Sequence, residues 1–169
     1  MSIGLLRLVA GGLAFLVCLL SSVVTVSFAA LDKAAHEHKE PRPFDETRGA
    51  MADVDAALAR AEVRGARTLL VLGGNWCHDS RALAAKFETP ELAALIVEKY
   101  ELVFVDVGHR DRNLDVAKRF GVGDLLGTPT VLIVSPAGEL LNADSIHDWR
   151  DAASRSEAET VAYFSKQAG

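Results

Sequence analysis

Trp76-Cys77-His78-Asp79-Ser80 stands between two segments of different periodicity. Before it runs Thr68-Leu69-Leu70-Val71-Leu72, an unbroken apolar stretch that reads as a buried strand. After it, Arg81-Ala82-Leu83-Ala84-Ala85-Lys86-Phe87 has helical spacing, with Leu83 and Phe87 turned inward. Cys77 therefore falls at a strand-to-helix junction, where free backbone N–H groups and the helix dipole favour a thiolate. That makes Cys77 a candidate nucleophile; the alternative is a buried structural thiol. Ser80, one helical turn on, could donate its hydroxyl to the sulfur, but it cannot serve as a second thiol. A protonated His78 would support a neighbouring thiolate and Asp79 would oppose it. Both could equally be solvent-facing residues of the first turn. Trp76 reads as a contact surface over the site, or else as plain core.

Downstream lies Gly127-Thr128-Pro129-Thr130, followed by the apolar run Val131-Leu132-Ile133-Val134 and the turn Ser135-Pro136-Ala137-Gly138. With both elements in view, the chain resembles the thioredoxin superfamily, which pairs a Trp-Cys-x-x-Cys helix start with a Thr-Pro before a core strand. The resemblance runs from about Arg67 to about Leu141. Ser80, standing where the second cysteine would be, is similar to the Cys-x-x-Ser members, including the anterior-gradient proteins of the secretory pathway and monothiol relatives. The resemblance implies a cis Thr128–Pro129 step packed beside Cys77, with the Thr128 backbone able to pair with a substrate peptide as a strand would. An ordinary turn proline is the alternative for Pro129. It also implies a buried acid six residues before the active cysteine, where this chain has Val71. Val71 and Ser80 together count against an efficient reductase.

The remaining pattern fits that frame. Val54, Ala57, Leu58 and Ala61 mark an amphipathic helix closing near Gly65. Thr89-Pro90 restarts a helix that continues through Leu92, Leu95 and Ile96. Glu101 to Val107 reads as a central strand covered on both faces, and Asp111 to Phe120 as a helix capped by Gly121. Glu139-Leu140-Leu141 reads as a last strand, and Ser156-x-x-Glu159 as a capping box that starts a final helix. The expected architecture is α/β: a thioredoxin-like three-layer fold, a mixed central sheet with helices on both faces. Asp106, His109 and Asp111 gather at a strand end without metal-ligand spacing and read as loop residues. Neither a metal nor a cofactor is expected.

The expected organisation is an export segment at 1–30, a flexible linker at 31–48 and the thioredoxin-like domain at 49–169. Between Ile3 and Ala30 only Arg7 is charged, and the run ends in Ser27-Phe28-Ala29-Ala30. Such a segment reads as a signal peptide cleaved after Ala29, or as an uncleaved membrane anchor, since about 20 apolar residues span a bilayer. Either way Arg7 holds the N-terminus inside and the domain lies beyond the membrane, periplasmic or secreted. The linker carries His36 and His38 between prolines and charges, where a solvated tether is a better reading than a metal site. Removal of the segment, with Cys18 in it, leaves Cys77 as the only cysteine, which favours a reactive thiol over a structural disulfide. A net charge of −5, without a basic stripe, argues against a nucleic-acid partner.

The reading that follows is an exported single-thiol protein that exchanges thiols and disulfides with client proteins through mixed disulfides. Its rival is a redox-silent binding or chaperone module that keeps the fold and its groove. A monothiol iron–sulfur carrier fits poorly with export and with the His78-Asp79 pair.

Overall fold

The computed structural model describes residues 40–169. The apolar segment 3–30 and the histidines His36 and His38 lie outside the described residues. Among the described residues no helix is long and apolar enough to cross a membrane.

The described chain runs α1 (Ala50–Arg64), β1 (Arg67–Gly73), α2 (His78–Phe87), α3 (Pro90–Lys99), β2 (Tyr100–Asp106), α4 (Leu114–Arg119), β3 (Thr130–Val134), a 3-10 helix (Asp148–Ser154) and α5 (Glu157–Lys166). The strands form one mixed sheet in the order β2-β1-β3. β1 is parallel to β2, with Leu70 opposite Val103, and antiparallel to β3, with Leu70 opposite Leu132. Side chains on a strand alternate between faces, so β1 sends Leu70 and Leu72 to one core and Leu69 and Val71 to the other. The first core is closed by Val54 and Ala57 of α1 and Val116 of α4. The second is closed by Leu83 and Phe87 of α2, Leu92 and Ile96 of α3, Trp149 of the 3-10 helix and Phe164 of α5. The result is the thioredoxin-like three-layer α/β arrangement.

Local signals placed most of the boundaries. Gly65 ends α1 in the left-handed conformation, with φ 66°. Pro90 opens α3, and Ser156 and Glu159 form the reciprocal capping box at the start of α5. Three expectations need correction. The helix expected from Asp111 starts at Leu114, because the Asp111 carboxylate is taken by the His109 N–H at 3.0 Å and Asn113 turns to φ 51°. Glu139-Leu140-Leu141 makes only an isolated bridge from Leu140 to Val134. The outer edge of β3 is shared between backbone groups, Leu141 N to Ile133 O and Val131 N to Ile146 O, and the Asn142 side chain, which accepts from Ile133 N and donates to Val131 O, at 2.8 and 2.9 Å. Finally, the 40–48 part of the expected linker is packed: Phe44 is only 2% exposed and meets Phe104 edge-on, with ring centroids 5.3 Å apart.

Glu101, at the buried start of β2, ties the first core together. It accepts from Arg60 Nε at 2.7 Å and from Arg64, whose guanidinium also reaches the Val97 and Glu98 carbonyls at the end of α3. Burial alone would raise the Glu101 carboxyl, but the hydrogen bonds from Arg60 and Arg64 outweigh it and hold the group below its ordinary 4.5. A depressed folded value gives stability that is present above the unfolded value and lost as pH falls through the folded one. Glu101→Gln should therefore cost about 1 kcal/mol at pH 7, discounted because both arginines are partly exposed. Urea denaturation at a series of pH values should show that difference shrinking steadily as pH drops below 4.5.

Candidate active site

The sharp exit from β1 depends on two residues without side chains. A Cβ on Gly73 would come within 2.5 Å of Ser80 Oγ and 2.9 Å of the Phe44 ring. One on Gly74 would come within 2.5 Å of Trp76 Nε1. Real Cβ atoms do not approach that closely, so only glycine lets the loop carry Trp76 and Cys77 this near to the sheet.

Cys77 occupies the N-cap of α2, as the sequence leads one to expect, with an extended backbone at φ −82° and ψ 122°. Its sulfur makes no capping hydrogen bond to the first turn. Instead Sγ donates to the Thr128 carbonyl at 3.4 Å, across 51 residues of chain. The Thr128–Pro129 peptide is cis, and both residues are buried. Cys77 itself is 9% exposed. Among the described residues it is the free cysteine.

The other candidates divide into those near the sulfur and those engaged elsewhere. Ser80 is fully buried, and its hydroxyl has no hydrogen-bond partner, so it does not donate to Cys77 as expected. The oxygen lies over Gly73, where any Cβ would meet it. His78 is largely exposed and lies 3.9 Å from the Glu40 carboxylate. Asp79 is bound to the 3-10 helix, accepting from Ala153 N at 2.9 Å. Trp76 is half exposed; its Nε1 donates to Gly108 O at 2.8 Å and its ring stacks on His109, 4.9 Å between centroids. Val71 is completely buried in the second core, so the position six residues before Cys77 carries no ionisable group.

Residues that carried no signal in the sequence also build this site. Asn75 grips the backbone of Phe44 from both sides, accepting from its N at 3.2 Å and donating to its O at 2.7 Å. Arg81 donates to Asn75 O at 3.0 Å and to Glu40 at 2.7 Å, which fastens the 40–48 segment to the first turn of α2. The 107–113 loop beneath Trp76 is strained, with Arg110 at φ 71° and Asn113 at φ 51°. Asp106, at the end of β2, accepts from the Gly108 N–H of this loop at 2.9 Å. Among the described residues no group of three or more His, Cys, Asp or Glu is placed to hold a metal ion.

The family model described as thioredoxin-like matches residues 49–136. Among solved structures, the chain is similar to a disulphide isomerase from Xylella fastidiosa Temecula1, at 32% identity and TM-score 0.69, covering 76% of this chain and 98% of the other. It is also similar to the reduced C-terminal domain of DsbD from Neisseria meningitidis, at 17% identity and TM-score 0.49, covering 69% of this chain and 96% of that one. A thioredoxin from Thermus thermophilus aligns at 19% identity and TM-score 0.47, over 76% of this chain and 87% of its own. No curated protein matches the chain.

The Asn75 grip yields a direct test. Asn75→Ala removes two hydrogen bonds to buried or half-buried backbone and should cost about 2 kcal/mol by chemical denaturation. Limited proteolysis within residues 40–48 should quicken at the same time, whereas Asn75→Asp, which keeps the acceptor, should lie between.

Proposed function

The chain belongs to the thioredoxin-like family, and on that premise we propose that it works in thiol–disulfide exchange through Cys77 alone. The observation that carries the reading is the position of Cys77 Sγ, at a helix start and against the carbonyl of Thr128 in the cis-proline loop. The likeness to a protein named as a disulphide isomerase supports the same chemistry.

In the proposed reaction Cys77 loses its proton to solvent, and the thiolate attacks one sulfur of a client disulfide. A bond forms between Cys77 and that sulfur while the client S–S bond breaks. The second client sulfur leaves as a thiolate and takes up a proton. Ser80 stands where a resolving thiol would, and its hydroxyl cannot attack the mixed disulfide. Release therefore needs another thiol, either the client's own or an external one, which displaces Cys77 as a thiolate. Trp76 and His78 form the exposed surface a client would meet, with the buried Thr128–Pro129 step behind the sulfur, while Asp79 serves it indirectly by holding the 3-10 helix.

Linked species should accumulate when the protein meets a disulfide-bearing client under mildly oxidising conditions. They should vanish in Cys77→Ala and persist in Ser80→Ala, as read by non-reducing electrophoresis. Ser80→Cys should raise insulin-reductase activity, because the side chain at 80 sits one turn from Cys77 on the same helix. A Cys77 that alkylates no faster than a cysteine in the unfolded chain and captures no client would sink the exchange reading. The redox-silent binding module would then be the better account, and the near-complete burial of Cys77 and Val71 is the observation on its side.

We also propose that the 1–30 segment directs export and leaves the domain on the far side of the membrane, on the strength of Arg7, the apolar run and Ser27-Phe28-Ala29. A reporter active only after export, fused after Gly169, should be active. The mass of the mature chain then distinguishes cleavage from a membrane tether through residues 3–30. Activity only from a cytoplasmic reporter would overturn the assignment.

A further inference from the structure

The carbonyl that receives the Cys77 thiol belongs to a short loop, 127–130, and that loop is held from behind by residues 147–150. Thr130 is fully buried, and its hydroxyl donates to the Gly127 carbonyl at 2.9 Å. A hydroxyl has one proton, so only its lone pairs remain for a further partner. His147 Nδ1 lies 3.3 Å from the same oxygen. The imidazole must therefore be the donor, with a proton on Nδ1. Burial, helped by the Arg150 charge and opposed by Asp148, keeps His147 below its ordinary value, so near neutral pH the ring is uncharged and that single proton is the one Thr130 uses.

Arg150 adds a second hold. Its Nε donates to the His147 carbonyl at 3.0 Å, and its aliphatic carbons lie across Gly127, where a Cβ would come within 2.5 Å of Cδ. The two ends of the loop, Gly127 and Thr130, are thus fixed by residues whose hydrogen bonds go to the loop and to each other rather than to Cys77. Thr128 lies between those ends.

We propose that His147 is a positioning residue for the thiol: through Thr130 and Gly127 it fixes the loop that sets the Thr128 carbonyl against Cys77 Sγ. The proposal rests on Cys77 being the reacting group. Without the Nδ1 donor, the buried Thr130 oxygen loses a partner and the loop gains freedom. The sulfur, now only 9% exposed, is then released from its fixed acceptor and opens to small reagents.

The test is the rate of Cys77 alkylation by iodoacetamide on the full chain, read from the mass of the Cys77 peptide so that Cys18 does not contribute. His147→Phe keeps a ring and removes the donor; His147→Asn keeps an N–H near the Nδ1 position. The Phe variant should alkylate roughly fivefold faster than wild type, the equivalent of one lost hydrogen bond. The Asn variant should return toward the wild-type rate even where urea denaturation shows the two variants equally destabilised. Equal rates for wild type and His147→Phe would overturn the proposal, as would rates that merely track stability across the variants. Should His147→Phe not fold, Arg150→Ala, at an exposed position, removes the second hold and should raise the rate in the same direction; an unchanged rate there overturns it too. Failure of the exchange reading is distinguishable: wild-type protein would alkylate at Cys77 with the same dependence on residue 147 yet never capture a client disulfide.

Discussion

The hydrogen bond from Cys77 Sγ to the Thr128 carbonyl joins two loops separated by 51 residues, and much of the surrounding structure follows from the need to make it. The end of β1 must lie beside the start of β3, which the pairing of Leu72 with Thr130 provides. The chain must then leave β1 without filling the space through which Ser80 and Trp76 approach, which Gly73 and Gly74 make possible. Val107 N donates to Gly73 O at 2.9 Å, so the parallel ladder with β2 continues to the point where the turn begins. Sheet register, glycine pair and helix start are in this sense one constraint. A shift of any of them moves the sulfur away from its acceptor.

The floor of the site is less polar than its chemistry would suggest. Val71 contributes a buried methyl pair six residues before Cys77, and Ser80 places a hydroxyl in a fully buried position without a partner. A buried hydroxyl left unpaired costs about 1–3 kcal/mol. The close approach to Gly73 explains why residue 80 must be small. It does not explain why it carries oxygen, since alanine would fit the same space. On the proposed reading, the proton of Cys77 leaves to solvent at the exposed edge of the thiol.

What could be read in the sequence was what neighbouring residues decide among themselves. The apolar runs of β1 and β3, the left-handed cap at Gly65, Pro90 at a helix start and the Ser156–Glu159 capping box are all local, and they mark their elements correctly. Cys77 and the Thr128–Pro129 step were legible for the same reason, each lying in a short motif with a strand beside it. The misreadings came where a side chain reaches a distant backbone. The polar, proline-containing 40–48 segment hides one core residue, Phe44, whose clamp, Asn75, is 31 residues away. The last strand is reduced to a bridge because the Asn142 amide supplies two of the hydrogen bonds that a neighbouring strand would, beside single backbone bonds from Leu141 N and to Ile146 O. His109 beneath Trp76 and His147 behind Thr130 have no periodic signal, since each acts through one long-range contact.

The surroundings of Cys77 provide different partners for its different chemical states. As a thiol it donates to the Thr128 carbonyl, and only a thiol can, because the bond uses its proton. A thiolate has nothing to donate and needs donors instead. The first turn of α2 offers backbone N–H groups, to which the sulfur is not bonded in this arrangement. Ionisation thus asks the sulfur to exchange an acceptor on one loop for donors on its own helix. A sulfur in a mixed disulfide is neither donor nor anion and needs mainly room. With Cys77 almost covered, that room must come from the loops, and the Thr128 loop is braced by Thr130, His147 and Arg150. On the proposed reading, access to the sulfur and release from its acceptor therefore require the same movement.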